Sequence, residues 1–135
     1  MGRSTVVTFD RLGGGTPRPP EVAAEYRFAG WRLDLLRRTV RRPDGRCIDL
    51  SASDFTLLCA FVERPQRLLD RDLLLDLIGG RQKGVEDRAV DVQVSRLRRR
   101  LAEDDWTGPE LIRTLRGRGY MFTFEVEFIG GFGRA

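Results

Sequence analysis

Residues 87 to 103 carry two opposed faces on one stretch of helical period. Val90, Val94, Leu97 and Leu101 recur at steps of four, three and four, which at about 100° per residue gathers them within about 60° of arc. A segment with that stripe is predicted to be a helix that buries this side in a core. The same wheel puts Arg88, Val92, Ser95, Arg96 and Arg99 opposite, with Gln93 and Arg100 on one flank and Arg98 on the other. Five arginines between residues 88 and 100 face the single acid Asp91. A fold must therefore be found that packs one side of this helix and leaves a basic, hydrogen-bonding side uncovered.

Composition sets the outer limits. The chain has 135 residues, 41% of them hydrophobic and 33% charged, which suits one soluble domain with an arm to spare. The run Phe55 to Val62 is far short of the roughly 20 apolar residues of a membrane span. The N-terminus lacks the apolar stretch of a secretory signal, so a cytoplasmic protein with no membrane contact is expected. There is no histidine, and Cys47 and Cys59 stand apart, which argues against zinc sites, histidine triads and a disulfide framework. Cys59 reads as a small core residue.

Residues 1 to 24 mix Gly13-Gly14-Gly15 with Pro17, Pro19 and Pro20 and read as a flexible arm or linker. A domain is expected over residues 25 to 128, followed by a tail over 129 to 135. Tyr26, Phe28, Trp31, Leu33, Leu35 and Val40 follow the two-residue period of half-buried strands, and Pro43-Asp44-Gly45 supplies a turn, so a small antiparallel sheet is read from about 26 to 49. Ser51-Ala52-Ser53-Asp54 resembles a capping box ahead of Phe55, Leu58, Cys59 and Val62, a helix ended by Pro65. Asp70 caps a second helix with the stripe Leu73, Leu74, Leu77 and Ile78, stopped by Gly79-Gly80. Asp87 caps the third, after a polar loop. Leu111 to Leu115 and Tyr120 to Phe124 alternate as two strands joined by Arg116-Gly117-Arg118-Gly119, a hairpin with an arginine-bearing tip.

A helix of this length is about 25 Å long and fits the major groove of DNA, about 12 Å wide. Arg96 and Arg99 suit guanine edges or phosphates, Gln93 adenine or phosphate, and Val92 a thymine methyl. Residues 111 to 120 add Arg113, Arg116 and Arg118 with no acid among them, and such a tip suits a minor groove. A dinucleotide-binding loop is disfavoured, because the third glycine of G-x-G-x-x-G is missing and a strand follows where a helix is needed. No catalytic residue, metal ligand or cofactor is expected, and the chain does not read as an enzyme. A protein-interaction module that docks the arginine face on an acidic partner, without reading DNA, is the alternative.

Four separated motifs then carry a family resemblance. Leu50-Ser51-x-x-Asp54-Phe55-x-Leu57-Leu58, Leu69-x-Arg71-x-x-Leu74, the run Asp87 to Leu101, and Ile112-x-Thr114-x-Arg116-Gly117-x-Gly119-Tyr120 together resemble the effector domain of OmpR/PhoB-type response regulators over about residues 26 to 124. The resemblance implies an α+β winged helix-turn-helix: an N-terminal four-stranded antiparallel sheet, three helices and a C-terminal β-hairpin wing. It implies a bacterial transcription regulator of a two-component, phosphorelay system, with its third helix in the major groove and its wing in the minor groove.

Carried over position by position, the resemblance makes Arg88 and Gln93 phosphate contacts and Val92, Ser95, Arg96, Arg98, Arg99 and Arg100 candidates for reading bases or backbone. Thr114 and Tyr120 would hold phosphates, and Arg116 would be the wing-tip residue. Arg81, Gln82 and Lys83 in the loop before the third helix would contact RNA polymerase. Ala89 lacks a hydroxyl that many relatives carry, and Ser95 replaces an arginine found in some, so the operator is this chain's own. The receiver domain of such regulators does not fit in residues 1 to 25, leaving a fragment of a two-domain regulator or a receiver-less one. A single winged helix presents a small interface, so a homodimer on paired half-sites of duplex DNA is expected.

Overall fold

The computed structural model describes residues 23–79, 87–103 and 106–131. In chain order its elements are β1 (Ala23–Phe28), β2 (Trp31–Asp34), β3 (Thr39–Arg41), β4 (Cys47–Ile48), α1 (Ala52–Val62), β5 (Leu68–Leu69), α2 (Arg71–Leu77), α3 (Asp87–Leu101), β6 (Ile112–Leu115), β7 (Gly119–Phe122) and β8 (Glu127–Gly131). The chain divides into two units, residues 1–47 with 126–135, and residues 48–125.

The first unit is built on the alternation that follows residue 25. Phe28, Trp31, Leu33 and Val40 are buried, while Arg27, Arg32 and Arg41 between them are exposed, as the two-residue strand period requires. The Phe28 and Trp31 rings stack with centroids 6.4 Å apart. The strands are antiparallel in the order β4-β3-β2-β1-β8. The four N-terminal strands are those expected, and a fifth, β8, pairs with β1 and sets Phe128 opposite Tyr26. Regular structure thus runs through residues 129 to 131, where the sequence reading began a tail. Gly45, at φ +90°, closes the turn after Pro43, and its N–H donates to the Arg42 carbonyl. Arg42 is buried there with its Nη2 2.9 Å from Asp44.

The second unit holds the helices and the hairpin. α1 starts where the cap was read, with the Asp54 N–H donating to Ser51 Oγ at 3.1 Å. α2 is capped by Asp70, whose Oδ1 accepts from the Leu73 N–H at 2.8 Å, and it ends at Leu77, with Ile78 as its C-cap and Gly79 beyond it at φ +73°. Its stripe is shifted from the expected one: Leu74 and Leu75 are buried, and Leu73 is exposed. Consecutive leucines offer two adjacent stripes of equal apolarity about 100° apart, and packing against α1 and α3 selects the one away from the cap. On α3 all four stripe residues, Val90, Val94, Leu97 and Leu101, are buried. The helix ends at Leu101, two residues early, because the Ala102 N–H is shared between the Arg98 and Arg99 carbonyls. Cys59 lies at the rim of the core and is half-buried.

β6 and β7 form the predicted hairpin, with the Arg118 N–H donating to the Leu115 carbonyl at 2.8 Å across its turn. The two-residue strand β5 pairs with Met121 and Tyr120 of β7, giving a three-stranded sheet in the order β5-β7-β6. α1 and β7 are in contact, and Phe55, Leu58, Phe61, Leu69, Leu97, Ile112 and Phe122 are among the core residues of this unit.

Candidate nucleic-acid interface

With Val90, Val94, Leu97 and Leu101 turned inward, the outer face of α3 is fixed. Val92, Ser95, Arg96 and Arg99 are exposed, Val92 at 59%. The flanking residues are half-buried and engaged. Gln93 Nε2 donates to the Ser53 carbonyl at 2.9 Å, and Arg100 reaches the Asp49 carbonyl through Nε at 3.1 Å and also through Nη2. Its Nη1 lies 2.9 Å from Glu103. One flank of the basic face is therefore tied to the start of α1, and it presents fewer free donors than the helical wheel suggests.

The other flank is tied to the wing. Arg98 Nη2 donates to Thr114 Oγ1 at 2.5 Å, and its guanidinium lies over the Tyr120 ring, 5.5 Å from the centroid. Tyr120 is 6% exposed, and its hydroxyl donates to Asp91 Oδ1 at 2.5 Å. Asp91 also receives Arg71 Nε at 2.9 Å and 3.0 Å on its two oxygens. Burial first, and then the neighbouring Asp91 carboxylate, push the Tyr120 phenol above its ordinary pKa. α2, α3 and the wing thus meet at one carboxylate. Of the residues read as phosphate holders, Thr114 is exposed beside Arg98, whereas the Tyr120 hydroxyl is engaged inside the domain.

Arg96 is exposed on the outer face, yet its Nε lies 3.3 Å from Oδ1 of Asp54, a carboxylate that is 2% exposed. Arg116 and Arg118 are both exposed in the hairpin turn. Gly117 in that turn has φ +74°, and Gly119 at its end has φ +145°. Arg81, Gln82 and Lys83 lie outside the described residues, as does the side chain of Arg88 in the first turn of α3.

Three residues of this region carry no site role in the sequence: Asp91 is visible there only as the lone acid among five arginines and within the family run, and Asp54 and Arg71 only as motif or cap positions. Their partners lie 20 to 42 positions away, a separation that no local pattern reports.

Residues 45–122 match the family described as "Transcriptional regulatory protein, C terminal". The chain is similar to the regulatory protein VirG of Agrobacterium fabrum, at 44% identity over 102 residues, which is 76% of this chain and 40% of VirG. It therefore spans about two-fifths of the length of that relative. Among solved structures it resembles the Klebsiella pneumoniae RstA DNA-binding domain in complex with RstA box, with TM-score 0.61 and 34% identity over 73% of this chain and 96% of that one. It also resembles the response regulator DrrB, a Thermotoga maritima OmpR/PhoB homologue, with TM-score 0.60 and 31% identity over 73% of this chain and 44% of DrrB. The family match over more than half the sequence, the two capped helices, the uncovered face of α3 and the wing agree on one assignment. The chain belongs to the transcriptional regulatory C-terminal family, as a winged-helix DNA-binding domain of the OmpR/PhoB response-regulator type.

Proposed function

We propose that this domain binds duplex DNA in a sequence-specific way, with the outer face of α3 in the major groove and the turn between β6 and β7 in the minor groove. The observation that carries the reading is the division of α3 into a buried stripe and an exposed row of Val92, Ser95, Arg96 and Arg99. Fifteen residues make a helix about 22 Å long, enough to lie along the groove floor while the wing reaches the neighbouring backbone. The similarity to the RstA DNA-binding domain, solved with its RstA box, supports the same docking here.

Arg98, stacked on Tyr120 and bonded to Thr114, acts in this reading as the brace between helix and wing. Arg99 and Thr114 take phosphates, and Arg96, Ser95 and Val92 face base edges. Two copies on paired half-sites provide the affinity that one small module lacks. The loop over residues 79 to 86 contacts RNA polymerase, and the whole serves in the cytoplasm as the output of a two-component regulator.

Selection of bound sequences from a random duplex pool, followed by competition, tests the proposal. A recovered operator should outcompete scrambled duplex at least about a thousandfold at one salt concentration, the low end for specific binders. Equal competition by both would mean that the arginine face serves an acidic protein partner or unspecific binding instead.

A further inference from the structure

The geometry points to Asp54 as a positioning residue that aims the Arg96 fork at one base pair and so sets part of the domain's specificity, an inference that rests on α3 being the groove-reading helix. Asp54 is 2% exposed, in the first turn of α1. A carboxylate withdrawn from water needs a compensating partner. The positive end of the helix dipole favours the carboxylate there, and Arg96 Nε at 3.3 Å pairs with it. The arginine side chain keeps 47% of its surface exposed. It is thus anchored at one nitrogen and open at its end.

The choice of nitrogen matters. Nε is the inner donor of the guanidinium, and holding it leaves Nη1 and Nη2 without a protein partner among the described residues. Those two parallel donors match O6 and N7 of guanine. An arginine held at Nε has given up much of its rotamer freedom before DNA arrives, so less is lost on binding. The buried charge also acts on specificity through its sign. Asp54 offsets the Arg96 charge toward any phosphate, but it leaves the directional match to a base edge intact. Neighbouring donors are held differently: Gln93 and Arg100 by backbone carbonyls, Arg98 by Thr114. Among the described side chains of the exposed row, Arg96 is the one paired with a buried carboxylate.

The experiment uses the full chain, the operator recovered by selection, and a scrambled duplex at one salt concentration. Asp54→Ala should lower the operator-to-scrambled ratio about tenfold, the scale of one bidentate base contact, with scrambled-duplex affinity equal or higher. Asp54→Asn, which keeps the size and one acceptor oxygen, should lower it less and guards against misfolding of the alanine variant. In an Arg96→Ala background, Asp54→Ala should leave the ratio unchanged within about twofold, because coupled residues share one effect. If Asp54→Ala and Asp54→Asn lower both affinities in parallel with the melting temperature, Asp54 is only a part of the helix start and the inference fails. A full loss in Arg96→Ala with none in either Asp54 variant also overturns it, while leaving Arg96 as a reader. An unchanged ratio in Arg96→Ala itself overturns both the inference and the placement of Arg96 at a base.

Discussion

The Tyr120 hydroxyl donates to Asp91 Oδ1 at 2.5 Å, so the inner strand of the wing and α3 are joined by a part-buried polar contact. Burial and the adjacent carboxylate raise the phenol's pKa above its ordinary value. The folded state therefore keeps this proton at pH values where the unfolded chain, with a phenol near pH 10, releases it. Stability from this contact is complete below about pH 10 and is lost as pH rises from there through the folded value. Tyr120→Phe should cost about 1 kcal/mol at neutral pH, the typical net worth of such a bond, and should flatten the alkaline loss. Urea midpoints at about pH 7 and about pH 10.5 measure both. Parallel pH slopes in the two proteins would show that the contact does not form.

The two glycines around the wing turn are predicted to differ sharply. Both have positive φ, but a Cβ at Gly117 meets nothing within 4 Å, whereas one at Gly119 falls 2.3 Å from the Leu69 carbonyl oxygen. Gly117→Ala should cost about 1 kcal/mol, the strain of the backbone conformation alone. Gly119→Ala adds a collision with the backbone at β5, and overpacking of that kind costs about 1 to 3 kcal/mol more. At about 4 to 8 °C per kcal/mol for a domain of this size, thermal melts separate the two. Similar melting temperatures would mean that β5 does not pack on β7.

Residues whose role is set by near neighbours were legible in the sequence. Ser51 and Asp70 cap helices because their oxygens reach an N–H three residues on, and Val90, Val94, Leu97 and Leu101 share a face because of the helix period. The turn at Gly45 and the hairpin at Gly117 follow from the same local chemistry. What escaped depends on distant partners. β5 is two residues long and exists because Tyr120 and Met121 lie beside it, and β8 because β1 accepts it about a hundred residues earlier in the chain. The α2 stripe was displaced by one leucine because packing chose between faces that the leucine run left equal. The intramolecular bonds of Arg98, Arg100 and Gln93 to Thr114, Asp49 and Ser53 likewise span distances in the sequence that no local pattern reports.

The loop before α3 gives a prediction that separates DNA binding from transcription. Alanine at Arg81, Gln82 and Lys83 should leave operator affinity within about twofold, since surface substitutions away from the interface are usually worth less than 0.5 kcal/mol. Transcription from an operator-bearing template with purified polymerase should fall. Loss of operator binding in the triple variant would place these residues in the DNA interface instead.

Arg116 and Arg118 are both exposed in the same turn, and the proposed docking distinguishes them. Arg116 directly follows the last residue of β6 and precedes Gly117, whereas Arg118 follows the left-handed residue and is held through its N–H by the Leu115 carbonyl. An arginine inserted in a minor groove gains most where an A·T-rich tract narrows the groove and concentrates negative potential. Arg116→Ala should therefore weaken binding most on operators with an A·T-rich flank and reduce the slope of log K against log salt by about 1. Arg118→Ala should do less on both measures. If Arg116→Ala keeps its fold by circular dichroism and changes neither slope nor flank preference, the turn does not enter the groove. The wing would then serve the domain only through Tyr120 and Thr114, as the support on which α3 rests.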